Sequence, residues 1–358
     1  MIPPAINFLM SGADMASRVF MPNMVEELGG SNFTVGLIVG VYSAMSFLAY
    51  YLFGRAADMY GRKLILRAGL LLSAIAFLLQ VTAHSQETLF LARALAGFTF
   101  GIAPAALIAY IYEAKKSVGG YSSYGSLGWM LGSFLAGIIA SHQGVFVLSS
   151  FMCFIAFLLS LRVGGIEGSR LHVPLFPVKL IRENSAIYVP YLLRHLGASI
   201  TWTILPLYLV SLGASFFWVG MMYTINAGTQ FFVMRRLEGI KDKTLMDWGT
   251  ILSAVVFFGY TLATSYLQVI PIQVLLGFAW SFLYVGSLRS LLGGNVEKAT
   301  AAGLLNSTIN LAGIIGPLLA GIITQILSFK AAMITSGILC ILGFAYSSIS
   351  DFDLSVGS

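Results

Sequence analysis

The chain alternates long apolar runs with short polar breaks. Each run has the length that hydrocarbon demands, since about 20 mostly apolar residues cross a bilayer as a helix that pairs every backbone N–H and C=O internally. Read this way, spans fall at residues 3–24, 33–53, 64–83, 88–110, 119–140 and 144–163. After a polar gap a second set follows at 187–210, 216–234, 245–264, 268–290, 299–325 and 330–349. The pattern predicts an all-α integral membrane protein with twelve transmembrane helices in two bundles of six. Expected domains are residues 1–163, a cytoplasmic linker at 164–186, and residues 187–358. The linker, GGIEGSRLHVPLFPVKLIRENSA, has three Gly, two Pro and mixed charge, which suits a connector with a short surface helix.

Composition agrees: 58% of residues are hydrophobic, 9% are charged, and the mean hydropathy is +0.88, far from the soluble range. The first span starts almost at Met1 and carries Asp14 and Arg18, so it is expected to persist rather than be removed as a leader. Cys153 and Cys340 lie inside spans six and twelve and read as small buried hydrophobes. Sixteen of the twenty Lys and Arg fall on one side of the twelve-span layout, Lys330 falls on the other, and Arg18, Arg93 and Arg194 lie within spans. That asymmetry predicts a multi-pass protein of the cell membrane with both termini cytoplasmic. The net charge of +6 is then a topology signal and calls for no nucleic-acid partner.

The two sets of spans are related in sequence. FMPNMVEELGGSNFTVGLI (20–38) aligns with ILPLYLVSLGASFFWVGMM (204–222) at an offset of 184, matching Pro22 with Pro206, Gly29 with Gly213, Ser31 with Ser215 and Gly36 with Gly220. A weaker echo pairs Gly97-Phe98 with Gly277-Phe278 at an offset of 180. Six spans repeated in the same order give halves related by an axis along the membrane normal.

Charges gather in the break between spans two and three, GRAADMYGRK at 54–63. Gly54 and Gly61 allow a tight turn, Asp58 can accept hydrogen bonds from a helix N-terminus, and Arg62, Lys63 or Arg67 can reach Glu113 at the end of span four. Gly54-x-x-x-Asp58-x-x-Gly61-Arg62-Lys63 resembles the signature loop of the major facilitator superfamily, and the span count, duplication and linker extend that resemblance over the whole chain. It implies a two-bundle secondary transporter, monomeric by default, working by alternating access, with the loop gating the cytoplasmic side. The second-half loop, RRLEGIKDKTLMDWG, keeps its charges and loses the glycine–aspartate frame.

Ionisable residues at membrane depth are rare and mark function by default. Asp14 and Arg18 share one face of span one, and Asp14 is the only carboxylate deep in any span. Arg93-x-x-x-Gly97-x-x-x-Gly101 resembles the superfamily's arginine motif on span four, linked there to proton coupling. By the same resemblance, spans one, four, seven and ten line a central cavity, which adds Arg194 and His195. In span five, YGSLGWMLGSFLAG resembles a segment of sugar and nucleoside permeases in which Trp129 would stack on the solute. It lacks their nearby basic residue, and it also lacks the Gly-Pro of drug antiporters. Asn226 and Gln230 add hydrogen-bonding groups on span eight.

No P-loop, nucleophile–base pair or metal-ligand spacing occurs, so no enzyme activity and no cofactor are expected, protons serving as coupling ion. The leading expectation is proton-coupled transport of a small molecule through the lipid bilayer. Alternatives are an organic-anion exchanger using Arg18 and Arg194, and a sensor, scaffold or lipid-handling protein.

Overall fold

The computed structural model describes residues 2–19, 21–30, 32–113, 117–139, 141–164 and 177–356, with some side chains inside these ranges, Glu113 among them, outside the description. The helices in chain order are α1 (Ile2–Val19), α2 (Met21–Glu27), α3 (Asn32–Tyr60), α4 (Arg62–Leu79), α5 (Gln86–Phe100), α6 (Pro104–Glu113), α7 (Val118–Ile139) and α8 (His142–Leu161). They continue with α9 (Val178–Glu183), α10 (Ser185–Ser211), α11 (Phe216–Met234), α12 (Asp242–Tyr260), α13 (Val269–Gly294), α14 (Lys298–Ile326) and α15 (Phe329–Val356). All twelve expected crossings are helical, and no strand occurs among the described residues.

One crossing is interrupted where a single helix was expected: span four divides into α5 and α6 around residues 101–103. Pro104 opens α6, and a proline cannot donate to the preceding turn, so the ladder restarts there. Among the described residues, seven stretches are long and apolar enough to cross a membrane on that ground alone, including Gln86–Ile111, which joins α5 to α6. The remaining crossings, such as α1 with its Asp14 and Arg18 and the Gly- and Ser-rich α7, rely on neighbours to cover their polar groups.

The chain forms two compact units, Met1–Leu175 with Asn295–Leu311 and Phe176–Gly294 with Ala312–Ser358. Within each, the sequence repeat has a structural reason. Gly29 and Gly213 both take left-handed backbone, φ +75° and +87°, which a side chain disfavours. A Cβ on Gly97 would lie 2.3 Å from the Tyr42 carbonyl oxygen, so α5 packs directly on α3. Gly277 likewise meets Thr229, packing α13 on α11.

The repeat extends further than the Gly-Phe echo. LLSAIAF (71–77) matches ILSAVVF (251–257) at the same offset of 180. Ser73 donates to the carbonyl of Gly69 at 2.7 Å and Ser253 to that of Gly249 at 2.8 Å. Cys153 and Cys340, 187 apart, are both free and fully buried. Ser149 donates to the Ala13 carbonyl at 2.8 Å, while Gly197, 184 after Ala13, packs on the backbone of Ser336, 187 after Ser149. This fixes the register of α10 against α1. Even the divergent loop keeps one trait, since Gly61 and Gly239 are both left-handed, φ +102° and +85°.

Candidate functional site

In the first unit, α1, α3 and α5 bring Asp14, Arg18 and Arg93 around a residue that sequence reasoning missed, Tyr42. The Tyr42 hydroxyl donates to Asp14 Oδ1 at 2.6 Å, and Arg18 Nε lies 2.9 Å from the same oxygen. The two guanidinium groups also face the Tyr42 ring, Arg93 Cζ 4.0 Å and Arg18 Cζ 4.7 Å from its centroid. Both distances are within cation–π range, where desolvation strengthens the attraction. Arg93 NH1 reaches Gln80 Oε1 at 3.3 Å and Ser17 Oγ at 3.4 Å, and Ser17 donates to the Asp14 carbonyl at 2.9 Å. Asp14 and Arg93 are 4% and 1% exposed. The centre therefore holds two cations and one anion around one phenol, and a proton arriving on Asp14 would remove the charge that holds Arg18.

Repeat register explains why Tyr42 sits there. It lies 184 positions before Asn226, and Arg93 lies 180 before Gln273. In the second unit Asn226 Nδ2 donates to the Gln273 carbonyl at 3.1 Å, and Gln230 Nε2 donates to Asn226 Oδ1 at 2.6 Å. The two sites predicted on span eight thus join α11 to α13 by neutral amides, where the first unit has charges.

Arg194 and His195 form a separate centre in the second unit. Arg194 is fully buried, and its Nε donates to Ser253 Oγ on α12 at 2.9 Å. Its Cζ lies 5.3 Å from the Trp280 ring centroid and 6.0 Å from that of Phe257. His195 Nδ1 lies 2.9 Å from the Tyr191 carbonyl, so this nitrogen carries the proton in that contact. Its ring tilts over Tyr191 at 4.3 Å and meets Trp280 edge-on at 4.9 Å, while Trp280 stacks on Tyr284 at 5.0 Å.

Of the expected loop, Gly54 and Asp58 lie in the last turns of α3, because the helix runs on to Tyr60, and only Gly61 makes the turn, with φ +102°; Asp58 is nevertheless placed as an acceptor. Asp58 accepts from the backbone N–H of Thr300 at 2.8 Å, from Thr300 Oγ1 at 2.8 Å and from the N–H of Ala299 at 3.4 Å. These are orphan donors in the first turn of α14, where a carboxylate is favoured. Arg62 NH2 completes the set at 3.1 Å from Asp58 Oδ1. Gly54 permits the approach, because a Cβ there would lie 2.7 Å from the Ala299 carbonyl oxygen. Arg67 donates to the Leu161 carbonyl at 3.3 Å, and Lys63 is partly exposed. The Glu113 side chain, expected to meet these bases, lies outside the described residues.

Trp129 is half-buried and joins neither charged centre. The glycines beside it serve packing, since a Cβ on Gly128 would lie 2.2 Å from the Phe8 carbonyl oxygen of α1.

Residues 5–291 match the family described as Major Facilitator Superfamily. The chain is similar to the quinolone resistance protein NorA of Staphylococcus aureus (strain MSSA476), with 25% identity over 84% of this chain and 83% of that protein. It is also similar to the multidrug resistance protein MdtG of Salmonella typhi, with 27% identity over 92% of this chain and 90% of the relative. Its fold resembles the crystal structure of the human organic anion transporter MFSD10 (TETRAN), with a TM-score of 0.82, 17% identity, and coverage of 97% and 98%.

Proposed function

Because the chain belongs to the Major Facilitator Superfamily, we propose that this multi-pass transporter moves its solute by alternating access, driven by a proton carried on Asp14. The observation that supports this most is the shared hold on one carboxylate oxygen by the Tyr42 hydroxyl and Arg18. Protonation of Asp14 dissolves the ion pair with Arg18, whose side chain is 39% exposed, and leaves both guanidinium groups with the Tyr42 ring alone as their shared contact. Each proton bound or released thereby changes the charge and shape of the centre, which is what coupling to a conformational change requires. A buried carboxylate among exchangeable cations is a natural carrier for this step.

In this reading Asp58 secures the first turn of α14 in one state of the cycle and lets it go in the other. The one-sided distribution of basic residues supports cytoplasmic termini in the cell membrane. The names of the relatives put a quinolone first among solutes to try.

The test uses proteoliposomes with an imposed pH gradient. Wild-type protein should accumulate the quinolone, whereas Asp14→Asn should lose gradient-driven accumulation and keep gradient-independent exchange. Full accumulation by Asp14→Asn would remove the proton from Asp14.

A further inference from the structure

Arg194 poses a problem that the proton reading does not touch. Arg194 is 0% exposed, and beside the Trp280 and Phe257 rings its only hydrogen-bond partner among the described residues is the neutral hydroxyl of Ser253, at Nε. NH1 and NH2 are both buried without one. The hydroxyls of Tyr191, three residues before Arg194 on α10, and of Tyr260, on the α12 helix that carries Ser253, each on a fully buried side chain, also lack partners. Among the described side chains, carboxylates of the second unit are engaged elsewhere: Asp242 with Arg289, Asp247 with Lys243 and Glu183 with Lys179. Glu238 is exposed. An arginine stays charged, and an uncompensated buried charge is strongly unfavourable.

The fold itself does not need this cation. Met10, 184 positions earlier in the same register, fills the equivalent place in the first unit with an apolar side chain 4% exposed. The surplus at Arg194 is thus specific to one copy, and every unsatisfied group around it can donate. What such a cluster lacks is an acceptor with negative charge.

We infer that the second unit binds a monovalent anion at Arg194, seated on NH1 and NH2 and on the hydroxyls of Tyr191 and Tyr260. The species is chloride from solution or the carboxylate of a transported organic acid, which would meet the guanidinium fork with two oxygens. The site stands whether or not Asp14 carries a proton, because Asp14 belongs to the other unit and the test reads stability.

The purified full-length protein is unfolded thermally in detergent at constant ionic strength, with isethionate replaced stepwise by chloride, bromide, acetate or benzoate. The midpoint should rise saturably with the halides or with the carboxylates, the effective class identifying the source. Arg194→Met, which installs the side chain used by the other copy, should fold and lose the dependence. Tyr260→Phe should weaken the anion by roughly tenfold, the effect of one hydrogen bond to a charged ligand. For a carboxylate, uptake of labelled benzoate into proteoliposomes should vanish with Arg194→Met; for a halide, bromide should give anomalous density beside Arg194 in crystals. Midpoints equal in all anions would overturn the inference, as would an anion response that survives in both Arg194→Met and Tyr260→Phe.

Discussion

The contact between Asp58 and α14 offers the most quantifiable test of the loop. Asp58 is 3% exposed and accepts from Thr300 N–H, Thr300 Oγ1, Ala299 N–H and Arg62. Asp58→Ala strips all of these at once. It takes the carboxylate from beside Arg62, whose side chain is 8% exposed, and returns the first donors of α14 to orphan status. Breaking one partner of a buried pair costs about 3–5 kcal/mol. Asp58→Asn keeps one carbonyl acceptor for Thr300 and loses the attraction to Arg62, so its expected cost is about 1–3 kcal/mol. Thr300→Val removes only the hydroxyl, about 1 kcal/mol. Equilibrium unfolding of the four corners of the cycle in mixed micelles should give a coupling energy between Asp58→Ala and Thr300→Val of about 0.5–3 kcal/mol. A coupling indistinguishable from zero, with Asp58→Ala as stable as the wild type, would refute the assigned role of the carboxylate.

Other outcomes follow from the same geometry. Tyr42→Phe should lower stability by about 1.5–3 kcal/mol, the value of a hydrogen bond to a charged group, while leaving both cation–π contacts in place; the unfolding midpoint reads it. Arg194→Met should raise stability in isethionate by about 1–4 kcal/mol, since apolar replacement of a poorly compensated buried charge is favourable. Gly213→Ala meets no atom and suffers only left-handed backbone, about 1–2 kcal/mol, whereas Gly128→Ala drives a methyl into the Phe8 carbonyl and should reduce the yield of folded protein. Comparing the two by size-exclusion chromatography separates backbone strain from steric exclusion.

Much of the architecture was legible because hydrocarbon imposes one rule on every crossing. The ends of α11 coincide with the expected span at 216–234, and those of α14 lie within a residue of 299–325. The acceptor role of Asp58 was equally readable, as a carboxylate adds nothing to a positive-inside signal and so needed another reason. The break at 101–103 was missed although Gly101 and Pro104 are ordinary stop and start signals, because the apolar run continues across them. Tyr42 was missed for a different reason. It is one of sixteen tyrosines, and nothing local distinguishes it. The signal lay in the other copy: Asn226 drew notice as a polar residue in a span, and register carries that notice back 184 positions to Tyr42. Arg194 stood out at once as a charge in an apolar helix, but its missing acceptor became visible only when its neighbours were in place.

The chain also contains its own optical probe. Trp280 stacks on Tyr284, meets His195 edge-on and lies 5.3 Å from the Arg194 guanidinium, so the field across its indole depends on whether that cation is neutralised. Replacing the four other tryptophans, Trp129, Trp202, Trp218 and Trp248, would isolate its emission. Its colour would then follow ion occupancy in real time, without a label and without a known solute.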